Sequence, residues 1–284
     1  MSVWPGGPLP SFGSDLVRLG LVQGVSNEDY HAAPGVSKSG LDRLARSPAH
    51  YLAYLREERK ETPALRLGRM IHSAILEPDS LALAISPDCD RRTKDGKAAW
   101  AYFERQAMGS QIVTADEAEQ IRRMRDAVYT HPAARRLLFA RGVAEASGWW
   151  FDQTSGELCR CRPDYRRDDG ILVDLKTTED AGSAFAKSCA NYRYHVQAAF
   201  YSDGVEAVTG ESPAGFVFVC VEKAPPYAVA VYSLAPMDVE LGRAIYQRNL
   251  MTLAECKISH QWPAYPETIQ VLSLPGWATQ GAVL

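Results

Sequence analysis

Two spacings of apolar residues divide this chain: a helical one over its first half, and an alternating, strand-like one that begins near residue 143. Leu41, Leu44 and Ala45 share one face of a helix that Ser37 or Ser39 can cap and that ends near Ser47-Pro48. The run ALRLGRMIHSAIL, Ala64 to Leu76, buries Leu67, Ile71, Ala74 and Ile75 and is closed by Glu77-Pro78. Further helices are predicted over Ala98 to Met108, over Ala115 to Thr130 and, after His131-Pro132, in a short piece reaching Phe139. From Val143 to Asp152 the pattern is that of a first strand, joined through Gln153 to Gly156 to a second at Leu158 to Tyr165. Arg166-Arg167-Asp168-Asp169-Gly170 is a hairpin turn, and Ile171 to Lys176 is the third strand. A short helix over Ala181 to Ala190 and a longer one over Tyr192 to Val208 follow, then strands at Phe216 to Glu222 and Ala228 to Ser233 and a helix over Pro236 to Cys256. Residues 1 to 25, rich in Gly, Pro and Ser, are read as a flexible arm, and 261 to 284 as a Pro-rich tail. Residues 26 to 284 then make one domain: a helical front part to about 140, a sheet core from about 141 to 260, and the tail.

With 284 residues, 46% apolar and 23% charged, the chain can bury a full core. No apolar run approaches the roughly 20 residues of a membrane span, and no basic segment followed by a hydrophobic one opens the sequence, so a cytoplasmic location is the default. Net charge is −3, which gives no global sign of a polyanionic partner; any contact with nucleic acid must rest on local clusters. Six cysteines, at 89, 159, 161, 189, 220 and 256, form no C-x-x-C pair and no zinc-like spacing, as expected of reduced thiols.

The candidate chemistry lies in CRCRPDYRRDDGILVDLKTT, Cys159 to Thr178. Asp164 stands near the end of one strand and Asp174 near the end of the next, with Lys176 projecting from the same face as Asp174. Two carboxylates and an ammonium among apolar residues are paired or bound to metal. Close carboxylates favour a hard divalent cation such as Mg²⁺, and a neighbouring lysine can orient or deprotonate water or stabilise charge on phosphoryl oxygens. An ordinary Asp–Lys ion pair is the simpler alternative. Other candidates carry a plain reading beside the functional one. His72, on one helical face with Gly68, is a core histidine or a ligand of the acidic hairpin. Ser37 and Ser39 are an N-cap or, with Lys38, a phosphate site. Arg91, Arg92, Lys94 and Lys97 are a solvated charge run or a DNA-backbone cluster. Glu145 points either to solvent or toward the metal, and Gln197 and Tyr201, spaced i,i+4, are a polar stripe or lean over the active strands.

The chain resembles the RecE-type exonuclease VIII branch of the PD-(D/E)xK nuclease superfamily, related to lambda exonuclease and to the RecB and AddB nuclease modules. The resemblance spans most of residues 28 to 262 and rests on the joint order of several motifs: Y-H-x(4)-G-x-S-x-S-x-L at Tyr30 to Leu41, L-G-x-x-x-H at Leu67 to His72, D-R-R-T-K-x-G-K at 90 to 97, E-x-S at Glu145 to Ser147, R-P-D at Arg162 to Asp164, D-L-K-T-T at Asp174 to Thr178 and Q-x-x-x-Y at Gln197 to Tyr201. It implies an α/β (α+β) fold with a restriction-endonuclease-like αβββαβ core, a central mixed sheet flanked by helices and a helical region in front. It implies further that His72, Asp164, Asp174 and the Leu175 carbonyl bind Mg²⁺, for which Mn²⁺ can substitute, that Lys176 is the catalytic lysine, that Gln197 and Tyr201 position it or the DNA, and that Glu145 assists a second metal. No iron–sulfur cluster is expected. The activity implied is 5′-to-3′ digestion of linear double-stranded DNA, leaving 3′ single strands for a RecT-type annealing protein, by a bacterial or phage-encoded enzyme that forms a trimeric or tetrameric ring. A structure-specific endonuclease or resolvase on the same fold, or a non-catalytic DNA-binding protein, are the alternatives.

Overall fold

Hydroxyl side chains start six helices of the front half, and the His131 ring starts α7 (Pro132–Leu138) by accepting the Ala134 N–H. Ser26, Ser37, Ser47, Thr62, Thr93 and Thr114 each accept a hydrogen bond from the backbone N–H three residues on, satisfying a donor that the first turn leaves unpaired. The computed structural model describes residues 19–57 and 61–274. In chain order its elements are β1 (Gly20–Val22), α1 (Asn27–Ala32), α2 (Lys38–Arg46), α3 (Pro48–Arg56), α4 (Pro63–Leu76), β2 (Leu83–Ile85), α5 (Lys94–Gln106), β3 (Gln111–Val113), α6 (Ala115–Thr130), α7 (Pro132–Leu138), β4 (Gly142–Ala144), β5 (Ser147–Phe151), β6 (Leu158–Cys161), β7 (Tyr165–Arg167), β8 (Ile171–Thr178), α8 (Phe185–Asn191), α9 (Tyr194–Thr209), β9 (Gly215–Glu222), β10 (Val229–Tyr232) and α10 (Pro236–Ser259).

The main sheet has the order β10-β9-β8-β7-β4 and is mixed, because β8 and β9 run parallel across the α8–α9 crossover while the other neighbours are antiparallel. A second sheet has the order β1-β5-β6, and β2 pairs with β3 in parallel. The expected αβββαβ core is present, with helices on both faces of the central sheet.

Strand alternation decides what each face of β8 meets. Leu172 joins a core formed with α2, α9 and α10 through Leu41, Phe200 and Leu250, while Val173 and Leu175 join another with α4 and α6 through Ile71, Ala74 and Met124. At Gly204 of α9 a Cβ would overlap the Trp150 ring of β5, so that glycine sets how closely helix and strand approach.

Several expectations are corrected. The strands expected over 143–152 and 158–165 are each broken, into β4 and β5 and into β6 and β7, and the turn after Tyr165 is shorter because Arg166 and Arg167 belong to β7. Of the expected arm, residues 1–18 lie outside the described residues, but Gly20–Val22 is a strand paired with Ser147–Trp149 of β5. A helix follows Pro48 where only an end was expected: Ser47 closes α2 and caps α3 at once. Helix α5 begins at Lys94, because Thr93 caps it. The start of the C-terminal tail is attached, with Trp262 stacked on Tyr51 at 6.5 Å and the Pro263 carbonyl accepting from the Ala49 N–H at 3.1 Å; its last ten residues, 275–284, lie outside the described residues. Among the described residues no helix is long and apolar enough to cross a membrane.

Candidate metal and catalytic centre

The broken strands place the site. Residues 142–151 and 158–167 form one antiparallel ribbon with a single register, pairing Ala144 with Tyr165 and Gly148 with Cys161, and it bends between these pairs. At the bend Glu145 adopts a left-handed backbone, φ 51°, and its N–H bonds the Asp164 carbonyl at 3.0 Å; next to Asp164, Pro163 has no N–H to offer a ladder. Beyond the Ala144–Tyr165 and Tyr165–Val173 pairs the same register brings Glu145 opposite Asp164, and Asp164 opposite Asp174. Two carboxylates just past the ends of β4 and β7, Glu145 and Asp164, therefore come beside Asp174, which lies within β8 where it pairs with β9. Asp164 Oδ2 takes over the missing strand's role and accepts the Leu175 N–H at 2.6 Å.

His72 comes from α4 and puts Nδ1 3.5 Å from Asp164 Oδ2. One ligand atom from each of His72, Glu145 and Asp164 lies within 4.8 Å of the others, a spacing that admits a cation. Asp174, 1% exposed, is the deepest carboxylate. Its Oδ1 accepts from Gln197 Nε2 at 2.5 Å; its Oδ2 lies 2.5 Å from Lys176 Nζ but receives no hydrogen bond of suitable geometry. Lys176 also donates to Gln197 Oε1 at 3.0 Å, and its ammonium sits over the Tyr194 ring at 4.6 Å. Gln197 thus ties the carboxylate and the ammonium into one unit, and Tyr194 walls it from solvent.

Burial dominates the electrostatics. Desolvation raises the carboxyl pKa of Asp174 to about 6 against the pull of Lys176, and raises those of Asp164 and Glu145, where mutual repulsion adds to the rise of Glu145. His72 is pushed down to about 4, chiefly by burial and then by Lys176, so at neutral pH it presents an uncharged imidazole, the form that ligates metal. For Lys176, burial opposes the charge, but Asp174 and Asp164 outweigh it and the ammonium pKa is raised. Tyr201 is buried enough to hold its phenol protonated.

A neutral imidazole and carboxylates held from water, with one ligand atom each of His72, Glu145 and Asp164 within 4.8 Å of the others, fit a divalent cation. His72, Glu145, Asp164, Asp174, Lys176 and Gln197 are brought together. Leu175 lies among them and supplies the N–H that holds Asp164. Tyr201 packs on Phe216, centroids 6.5 Å apart, one helical turn from Gln197. Ser37 caps α2, its Oγ accepting the Gly40 N–H, and Ser39 lies in the first turn. Arg91 stacks on Trp100 at 4.0 Å, Arg92 pairs with Asp90 at 3.0 Å, and Lys94 and Lys97 are exposed; among the described residues no hydrogen bond or ion pair links these four to the centre.

Two functional neighbours, Arg162 and Tyr194, had no assigned role in the sequence. Arg162, 8% exposed, donates from Nε to Ser147 Oγ at 2.7 Å, lies 3.9 Å from Glu145 Oε2 and stacks on Tyr30 at 4.1 Å. It supplies the positive charge behind the row of carboxylates and explains the serine of E-x-S. The signal was an arginine among the apolar positions of a strand. Lys38 reaches the Tyr192 carbonyl at 2.5 Å and lies 5.8 Å over Tyr194, so the α2 start approaches Lys176 across one aromatic ring.

A family model described as a PDDEXK-like domain of unknown function (DUF3799) matches residues 37–275. Among solved structures, a candidate exonuclease from Eubacterium rectale superposes with a TM-score of 0.61 at 13% identity, over 92% of this chain and 100% of that one. An alkaline exonuclease from Laribacter hongkongensis gives a TM-score of 0.27 at 15% identity, over 68% of this chain and 97% of that one. No curated protein matches the chain.

Proposed function

We propose, since the chain belongs to the family of PDDEXK-like domains of unknown function (DUF3799), that it is a divalent-metal-dependent nuclease, and more narrowly a 5′-to-3′ exonuclease of linear double-stranded DNA. The observation that carries the nuclease reading is the row Glu145–Asp164–Asp174 facing His72, with Lys176 held against its inner end. His72, Asp164, Asp174 and the Leu175 carbonyl would hold Mg²⁺, or Mn²⁺ in its place, and Glu145 would join them. When bound, the cation supplies Lewis acidity toward a phosphoryl oxygen and toward water. Asp174 and Asp164 favour the charged form of Lys176 against its burial, which suits the ammonium to stabilising developing negative charge on the phosphate. Gln197 fixes the ammonium against Asp174 and keeps it aimed, and Tyr194 excludes water from its far side.

The exonuclease reading is supported by the motif series from Tyr30 to Tyr201 and by the fold shared with the Eubacterium rectale protein. In it, free duplex ends are the substrate, the 3′ strands pass to a RecT-type annealing protein, the enzyme works in the cytoplasm, and copies of the chain assemble as a trimeric or tetrameric ring. Ser37, Ser39, Arg91, Arg92, Lys94 and Lys97 are assigned to the DNA backbone. The test is digestion of end-labelled linear duplex beside closed circular plasmid, with Mg²⁺ or with a chelator. Linear DNA alone is consumed, only with the metal, and Lys176→Ala lowers the rate by about 10³-fold or more with the circular dichroism spectrum unchanged. An active Lys176→Ala protein overturns the catalytic assignment, and cleavage of the closed circle overturns the requirement for an end.

A further inference from the structure

The turn that leads into α9 is clamped from three sides. Arg193 takes a left-handed backbone, φ 55°, at the N-cap of α9, and its guanidinium donates to the Leu41 carbonyl and to Asp42 Oδ1, each at 3.0 Å. Lys38 of α2 donates to the Tyr192 carbonyl at 2.5 Å, and at Gly242 of α10 a Cβ would overlap the His195 carbonyl, so that helix lies directly against the first turn of α9. Tyr194, between these anchors, is held by aromatic neighbours as well: its ring centroid lies 5.8 Å from that of Phe185, 5.7 Å from that of Phe218 and 5.7 Å from that of Tyr192. Among the described residues its phenol makes no hydrogen bond, so what the clamp fixes is a ring and not a hydroxyl. Onto that ring Lys176 sets its ammonium, 4.6 Å from the centroid, with the Phe218 ring at 6.0 Å. Lys38 lies 5.8 Å over the same ring but is committed to the Tyr192 carbonyl and, at 2.7 Å, to Asp42.

We propose that Tyr194 is a positioning residue that seats the Lys176 ammonium through the face of its ring, a role that rests on the nuclease reading. A lysine ammonium has three donors, and in that reading one of them must be kept for the phosphate. Gln197 Oε1 at 3.0 Å and Asp174 Oδ2 at 2.5 Å take two sides of it. A carbonyl or carboxylate on the third side would hold the remaining N–H in a directed hydrogen bond and compete with a phosphoryl oxygen. The negative face of an aromatic ring instead attracts the charge as a whole, with little preference for where the N–H bonds point, so the ammonium is stabilised in place and still free to turn toward the phosphate. Exclusion of water, which any apolar side chain of similar size provides, is a separate property.

The test compares side chains at position 194 in steady-state cleavage of linear duplex with Mg²⁺. Tyr194→Leu, which still excludes water, lowers kcat about tenfold with KM unchanged, and Tyr194→Phe, which restores the ring without the hydroxyl, brings kcat back to within about twofold of the wild type. Phenylalanines bearing one, two and three fluorines at this position keep the shape but drain the ring face, and kcat falls stepwise along the series. Wild-type kcat in Tyr194→Leu, a Tyr194→Phe protein as slow as Tyr194→Leu, or a flat fluorine series overturns the role. A second measurement is independent of activity. In protein labelled with ¹³C-lysine, the Lys176 ε-methylene resonance, identified by its absence from Lys176→Arg, is displaced upfield by the ring in the wild type and returns to the ordinary lysine position in Tyr194→Leu. No displacement in the wild type overturns the contact whatever the activity. A displaced resonance in a wild type that cleaves no DNA refutes the nuclease reading, and the positioning role with it; a displaced resonance in an active wild type whose variants all turn over alike refutes the positioning role alone.

Discussion

At the scale of residues, the centre is a set of charges kept from water and short of compensation. Asp174 has its pKa raised to about 6 by desolvation, and Asp164 is raised for the same first reason. A carboxyl whose folded pKa is raised contributes stability that is full below its unfolded pKa, near 4, and lost as pH rises through the folded value. Without metal the fold therefore gives up stability between about pH 4 and pH 7, whereas a cation binds the ionised form and restores it. The rise in melting temperature on adding Mg²⁺ is predicted to be small at pH 5 and larger at pH 8; an increment that is flat or greatest in acid would refute this electrostatic account. Gln197 is the other residue with a defined cost. It bonds both Asp174 and Lys176, so Gln197→Ala releases the pair without removing either charge, and the turnover rate should fall by about 10- to 100-fold with the circular dichroism spectrum intact. Wild-type turnover in that variant would reduce Gln197 to a structural contact.

At the scale of elements, the bend in the β4–β5 and β6–β7 ribbon assembles the site, and it is the part the sequence concealed. Apolar spacing runs on through Glu145 and Pro163, so each arm reads as one strand; the break shows in the sequence only through Pro163, which has no N–H for a ladder, and otherwise in the positive φ of Glu145, which no side-chain pattern reports. For the same reason its direction was undecided, since alternation no longer says where a residue at a kink points. What was legible has the opposite character. Asp174 and Lys176 lie in an unbroken strand where a period of two holds, Gln197 and Tyr201 share a face of an unbroken helix, and His72 lies on a strongly patterned one. Helix α3 was missed because Ser47-Pro48 is equally good as a stop and as a start. A left-handed non-glycine residue costs on the order of 1 kcal/mol or more, held here by the packing around it. Glu145→Gly is accordingly predicted to match the wild type or exceed it by up to about 1 kcal/mol in urea denaturation at pH 8, while losing nuclease activity. A Glu145→Gly protein more than about 1 kcal/mol less stable than the wild type would show that the bend carries no strain.

At the scale of the whole molecule, the fold brings together residues far apart in the chain by laying α4 and α9 over a sheet whose ladder stops one pair short. Net charge of −3 says nothing of a polyanionic partner, and the basic groups are local: Lys176 at the centre, Lys38 across the Tyr194 ring from it, and Arg91, Arg92, Lys94 and Lys97 around the start of α5. Length and composition established only that a full core could form. The distribution of charge within that core is what separates an ion pair from a metal site.

The central claim is that His72, Glu145, Asp164 and Asp174 converge on a divalent cation, and calorimetric titration of Mn²⁺ into the chelator-treated protein tests it without reference to activity. The wild type is predicted to bind Mn²⁺ stoichiometrically, with Asp164→Asn and His72→Ala each weakening binding by about 10-fold or more while remaining folded. Binding of equal strength in Asp164→Asn, or none in the wild type at pH 8, would contradict the account.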